Sequence, residues 1–242
     1  IYRILRKQGN SNPTFLDAKA FFDGHLNCRY HEQNDQEVWK HVYHDGHFAG
    51  VFQFTNQGAR QFSLEAKPEN IEELAALTAI YRPGPLKANV HRKYVKAKKN
   101  ANSIKYDHPI IKEILGPTFG FVTFQEQFML LAQKLAGFNP GESDKLRKTL
   151  VKKSLDTLHS KGSEKAKARE KFIKGSKELN NVPESVSSKL WAEIEFFSVY
   201  GFNKSHAVAY AIDSYYAAWL HTHYETEWLA TILQSENGNP KG

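Results

Sequence analysis

Along most of this chain, apolar residues recur at intervals of three and four, the spacing of one helix face. Ile71, Leu74, Leu77 and Ile80 fall on one side of the stretch 69–81, which ends at Arg82-Pro83-Gly84-Pro85, where proline stops a helix. Phe124, Phe128, Leu131 and Leu135 form a second stripe, and Gly137 reads as its stop signal. Asp35 is placed to cap a helix that ends at Asp45-Gly46, and Asn56 opens another that Pro68 stops. Further helices are predicted at 87–99, 108–115, 140–150, 154–179, 184–198, 205–222 and 225–235. Strand signals are scarce. The apolar run 50–54 reads as one short strand and 119–124 as a brief extended piece, while residues 1–34 show no clear period. The pattern predicts a mainly α fold with little β, with neither internal repeats nor low complexity beyond a Lys-rich stretch.

Composition narrows the class. The chain has 242 residues, 40% of them hydrophobic and 13% aromatic, which suits a folded protein with a sizeable core. One cysteine, Cys28, excludes an internal disulfide and fits a reducing compartment. No apolar run approaches a membrane span and no signal-peptide pattern opens the chain; the expected location is cytoplasmic. The first residue is Ile1, so the chain reads as a piece of something longer. The net charge is +7, unevenly spread. Residues 1–80 carry eight Lys/Arg against ten Asp/Glu, whereas 145–177 carry twelve against three. So local a field attracts polyanions, nucleic acid foremost.

Candidate chemistry clusters in a few places. On a helix, Lys145, Lys148 and Lys152 share a face at i, i+3 and i+7, with Arg147 beside them and Lys153 following. Converging cations at this spacing suit a triphosphate or a DNA backbone, and Arg adds a bidentate fork. The competing reading is a solvated basic face. Arg82 is placed to satisfy the last carbonyls of the preceding helix. Gln125 and Glu126 stand at a helix start, where capping is the simpler role. At 201–206, Gly201, Phe202, Asn203, Lys204, Ser205 and His206 gather an aromatic, an amide, an ammonium, a hydroxyl and an imidazole at a helix mouth. Free N–H groups and the helix dipole favour an anion there, and Ala207, Ala209 and Ala211 allow close backbone approach. The competing reading makes Ser205 a plain N-cap and leaves His206 on the surface.

His41, His44 and His47, with Cys28 and His31 upstream, invite a zinc reading. Asp45-Gly46 interrupts that helix and no second Cys completes a set, so they read as a surface histidine cluster and no metal ligand is assigned. Two-metal phosphoryl transfer needs converging carboxylates, commonly Asp-x-Asp. None occurs here, and Glu193/Glu195 and Glu225/Glu227 diverge on helices. Walker, GxSxG and HExxH motifs are also missing. The chain offers phosphate-binding chemistry without catalytic carboxylates.

The runs "GVFQF…GAR" (50–60), "LTAIYRPGPL" (77–86), 106–153 and "YGFNKSHAVAYAIDSYYAAWL" (200–220), in this order, resemble the C-family bacterial replicative DNA polymerases, the α subunit of DNA polymerase III. The resemblance covers roughly 50–236 and is vague over 1–49. It implies a poorly matched N-terminal segment (1–49), a helical fingers domain (50–236) that grips the incoming dNTP and the primer-template DNA, and a tail (237–242). It further implies that the catalytic aspartates lie upstream, in a palm domain on the same or another polypeptide. That palm would bind Mg²⁺, and this chain alone would be inactive.

Carried over, the family's triphosphate-holding arginine pair falls on Arg147 and Lys148, the second a departure that loses the planar fork. Lys152, Lys153 and Arg82 join them at the phosphates. Gly201 to His206 fall at the nascent base pair, with His206 and Ser205 beside the deoxyribose and Gln125 and Glu126 secondary. Phe124 replaces the family's Tyr, Leu150-Val151 its Met-Gly, and His91 stands where an acid is common. Such divergence suits a phage-encoded or distant relative, in a bacterial or phage-infected cell. The alternative is a non-catalytic basic helical module that binds nucleic acid.

Overall fold

The computed structural model describes residues 1–26, 34–151, 164–198 and 201–237. Its helices are α1 (Tyr2–Lys7), α2 (Phe15–His25), α3 (Gln36–Val38), α4 (Gln57–Ala66), α5 (Ile71–Ile80), α6 (Pro83–Lys87) and α7 (Val90–Lys99). There follow α8 (Pro109–Leu115), α9 (Gln125–Ala136), α10 (Pro140–Val151), α11 (Glu164–Asn180), α12 (Glu184–Ser198), α13 (Lys204–His223) and α14 (Glu225–Glu236). The fold is mainly α, as the periodicity predicts. Among the described residues, β pairing is limited to an isolated parallel bridge between Phe124 and Phe202. No described helix is long and apolar enough to cross a membrane. The chain divides into two compact units, Ile1–Thr78 with Val208–Gly242, and Ala79–Ala207.

In the first unit the Asp35 carboxylate accepts from the Glu37 amide and starts α3, which widens into a π-helical stretch, Trp39–His44. Its i→i+5 character shows in the Asp45 amide, which donates to the Lys40 carbonyl at 2.9 Å. Trp39, Val42 and Tyr43 are fully buried. Tyr43 Oη pairs with Ser214 Oγ at 2.9 Å, so the hydroxyl of this buried tyrosine is satisfied.

Two expectations change here. Residues 50–54 form no strand: Val51 donates to Phe48 and Phe54 to Val51, successive tight turns, with Gly50 and Gln53 both at φ 70°. Val51 and Phe54 still bury, which is why the run reads as a strand. Residues 1–34, featureless by periodicity, contain α1 and α2. The start of α2 is a capping box in which Thr14 and Asp17 bond reciprocally. That Thr-x-x-Asp spacing is the signal in the sequence that marks it.

The second unit is built around α9. Phe128, Leu131 and Leu135, one stripe of it, are fully buried, and each contributes about 1.5–3 kcal/mol by leaving water. α8, α10, α11 and α12 all pack on α9. Gly137 takes φ 72° and ends it, as expected. Asn139 and Glu142 then form a reciprocal cap, 2.9 Å in both directions, that starts α10. At Gly175 of α11 the contact with α9 is so close that an added Cβ would sit 2.2 Å from the Ala136 carbonyl oxygen. Of the helix expected at 154–179, residues 154–163 lie outside the described residues.

Candidate functional site

The first turn of α9 positions the segment 201–206. The Phe202 amide donates to the Thr123 carbonyl (3.3 Å), and the Gln125 amide donates to the Phe202 carbonyl (2.9 Å). Gln125 Nε2 adds a bond to the Gly201 carbonyl at 3.1 Å. Gly201 lies close under this contact: a Cβ there would meet Gln125 Cγ at 3.2 Å. Gln127 performs the local capping, its Oε1 accepting from the Thr123 and Phe124 amides. Its amide nitrogen donates to Thr118 Oγ1 and the Ile114 carbonyl, so this buried side chain is well satisfied.

Glu126 serves the helix that follows. Its Oε2 accepts from the Lys204 amide and its Oε1 from Asn203 Nδ2, both at 2.9 Å. Asn203 Oδ1 accepts from the His206 amide at 2.8 Å, so Asn203, rather than Ser205, is the N-cap of α13. The expectation of a helix mouth with free amides changes accordingly. A carboxylate from α9 already answers the dipole, and a bound anion would be held by side chains.

Those side chains meet on Phe202. The Arg82 guanidinium lies 4.4 Å from the ring centroid, and the His206 ring packs edge-on at 5.3 Å and 63°. Arg82 Nε also donates to the Ala79 carbonyl at 2.8 Å, the carbonyl-satisfying role expected of it. Burial lowers the Arg82 pKa from its ordinary value, yet a guanidinium remains cationic at any physiological pH. Lys204 Nζ lies 6.0 Å from the Phe124 ring centroid. Ser205 and His206 are exposed.

The cations of α10 are arranged differently. Arg147 forks onto Asp144, with Nε at 3.0 Å and Nη2 at 2.8 Å from one oxygen, and Lys148 Nζ lies 2.7 Å from the other. Lys145 pairs with Glu164 at 2.6 Å. Asp144, which organises this face, is readable in the sequence from its placement three and four residues ahead of Arg147 and Lys148. Its pKa is lowered from the ordinary carboxylate value by those two partners, Lys148 foremost. Among the described residues, no hydrogen bond or ion pair joins Arg147 or Lys148 to the group on Phe202. Lys152 and Lys153 lie outside the described residues.

α9 and α10 are joined by residues 137–139 and pack on each other, and Gln133 Nε2 donates to Ser143 Oγ at 2.6 Å.

These observations define a mainly α, basic protein whose mixed polar groups gather where one helix starts against another. Residues 16–180 match the family described as bacterial DNA polymerase III alpha subunit finger domain, and the chain belongs to that family. Its curated relatives include DNA polymerase III subunit alpha of Aquifex aeolicus (strain VF5), 38% identical over 208 residues, 86% of this chain and 17% of the relative. The subunit of the same name from Borreliella burgdorferi is 38% identical over 198 residues, 81% of this chain and 16% of the relative. That of Chlamydia muridarum is 36% identical over 200 residues, 83% of this chain and 15% of the relative. The chain thus spans about one-sixth of the length of these relatives.

Proposed function

We propose that this chain is the fingers portion of a DNA-directed DNA polymerase, binding the triphosphate of the incoming dNTP and the primer-template during replication. The reading rests on one observation: in a member of the finger-domain family, Arg82 and His206 share the Phe202 ring, beside Lys204, on a turn fixed by α9. Arg82, Arg147 and Lys148, with Lys152 and Lys153, would face the phosphates. Gly201, Phe202, Asn203, Lys204, Ser205 and His206 would face the sugar and the nascent base pair, with His206 beside the deoxyribose.

The ion pairs on α10 are compatible with this role. Lys148 is largely exposed and its pair with Asp144 is screened by solvent, so exchanging the carboxylate for a phosphate costs little. Catalytic Mg²⁺ belongs, on this reading, to a palm domain outside this chain. The carboxylate that reaches this segment, that of Glu126, is committed to the start of α13 and makes a poor metal ligand. The chain's own residues bind, orient and neutralise charge. The protein would work in the cytoplasm of a bacterial or phage-infected cell.

The test is a fluorescent primer-template titrated with the purified chain, with and without dNTP. Binding should weaken at least about tenfold between about 50 and about 200 mM salt, as counterion release requires. The chain alone should add no nucleotide. Absent or salt-independent binding would overturn the nucleic-acid role, and incorporation by the rigorously purified chain would overturn the division between fingers and palm.

A further inference from the structure

The first unit contains a histidine cluster that only the fold assembles. The π-helical turn sets the rings of His41 and His47 parallel, 4.2 Å apart and within 4°. His221, near the end of α13 and buried at 2% exposure, stands nearly perpendicular to both, at 5.5 Å from His41 and 6.5 Å from His47. Four residues on, Glu225 opens α14 and brings Oε1 to 3.9 Å from His221 Nε2. One ligand-capable atom each from His41, His221 and Glu225 lies within 4.8 Å of the others.

One nitrogen in this cluster is unexplained by packing. His41 Nε2 is shut off from solvent without a hydrogen-bond partner among the described residues. Leaving such an atom unpaired is costly, and native structures rarely keep one so without a reason.

We propose that His41, His221 and Glu225 form a binding site for a divalent transition-metal ion of the zinc class. Two imidazoles and a carboxylate match the donors such an ion takes, with a fourth position left to water. Tetrahedral ligands at about 2.1 Å from zinc stand about 3.4 Å apart. The exposed side chain of Glu225 can close the remaining gap by rotation, while His221 stays fixed in the core. Bound metal would clip the π-helical turn to the junction of α13 and α14, segments far apart in the chain, and so stabilise this unit. A second acidic and histidine group, Asp35, Glu37 and His223, carries no such argument, since His223 Nε2 already pairs with Asp35 at 2.8 Å.

The test uses the full 242-residue chain stripped by chelator. Zn²⁺ titrated by calorimetry should bind at one site per chain and raise the unfolding midpoint, and Co²⁺ should give the visible bands of a four-coordinate N/O site. His41→Gln and Glu225→Gln, both at side chains partly open to solvent, should each weaken Zn²⁺ at least about tenfold. His223→Gln should leave the affinity unchanged. Circular dichroism of the apo variants checks that they fold. Absence of one-site binding, affinity that survives both substitutions, or affinity lost in His223→Gln instead would overturn the assignment.

Discussion

The carboxylate of Glu126 closes the start of the helix that Lys204 begins, 2.9 Å from its amide, across 78 residues of chain. This contact supplies a hydrogen-bond acceptor and a negative charge where a helix dipole is positive. Glu126→Ala is therefore expected to cost about 1–2 kcal/mol, as loss of a strong N-cap does. Glu126→Gln keeps one acceptor oxygen and should cost about half as much. Urea unfolding of both variants reads the difference, and equal effects would mean that the charge carries the whole contribution.

His206 offers the sharpest test of the nucleotide reading. Its ring leans on Phe202 and is otherwise exposed, so His206→Ala should leave the fold intact. In a longer polypeptide that includes the palm, the variant should lose about tenfold of its preference for dNTP over rNTP. Single-nucleotide incorporation with each substrate measures this ratio. Unchanged selectivity would remove His206 from the sugar side of the site.

The two polar stretches are legible in the sequence as chemistry but not as a partnership. Residues 124–127 read as an ordinary helix start and 201–206 as an anion-binding helix mouth. Nothing local announces that Glu126 fills the place expected for an anion, because the pairing is made by tertiary packing. Helix faces are far more readable: the stripe through Phe124, Phe128, Leu131 and Leu135 is buried along its whole length. Residues 50–54 mislead because a short apolar run reads as a strand, whereas tight turns bury Val51 and Phe54 and leave Phe52 exposed. The histidines of the 41–47 turn are visible, whereas His221, their buried neighbour, comes from the other end of the sequence.

Gly175 sets the distance between α9 and α11. A methyl group there would press on the backbone of Ala136, which cannot rotate aside as a side chain would. Gly175→Ala should cost about 1–3 kcal/mol despite its gain in helix propensity, in the manner of an overpacked core. Thermal unfolding checks this, and a stabilised variant would show that the helices can part without cost.

Burial raises the pKa of Glu193 on α12, with Lys189 opposing and Asp107 reinforcing the shift. The folded chain therefore holds this proton more tightly than the unfolded chain does. Stability falls as pH rises from the ordinary carboxylate value, about 4.3, through the raised one. Glu193→Gln escapes that loss. It should match the parent near pH 4 and exceed it toward pH 7, by less than about 1 kcal/mol because the group is only half-buried. Unfolding midpoints across this range would reveal the divergence, and parallel curves would contradict it.

The bonds from Thr123 and Gln125 to residues 201 and 202 make one mechanical part of two distant segments. Anyone transplanting the glycine-to-histidine hexapeptide into another scaffold would have to carry the α9 start along with it, or the rings would lose their bearings. Conversely, damage to the hydrophobic spine beneath α9 would misalign this turn well before the whole body melts.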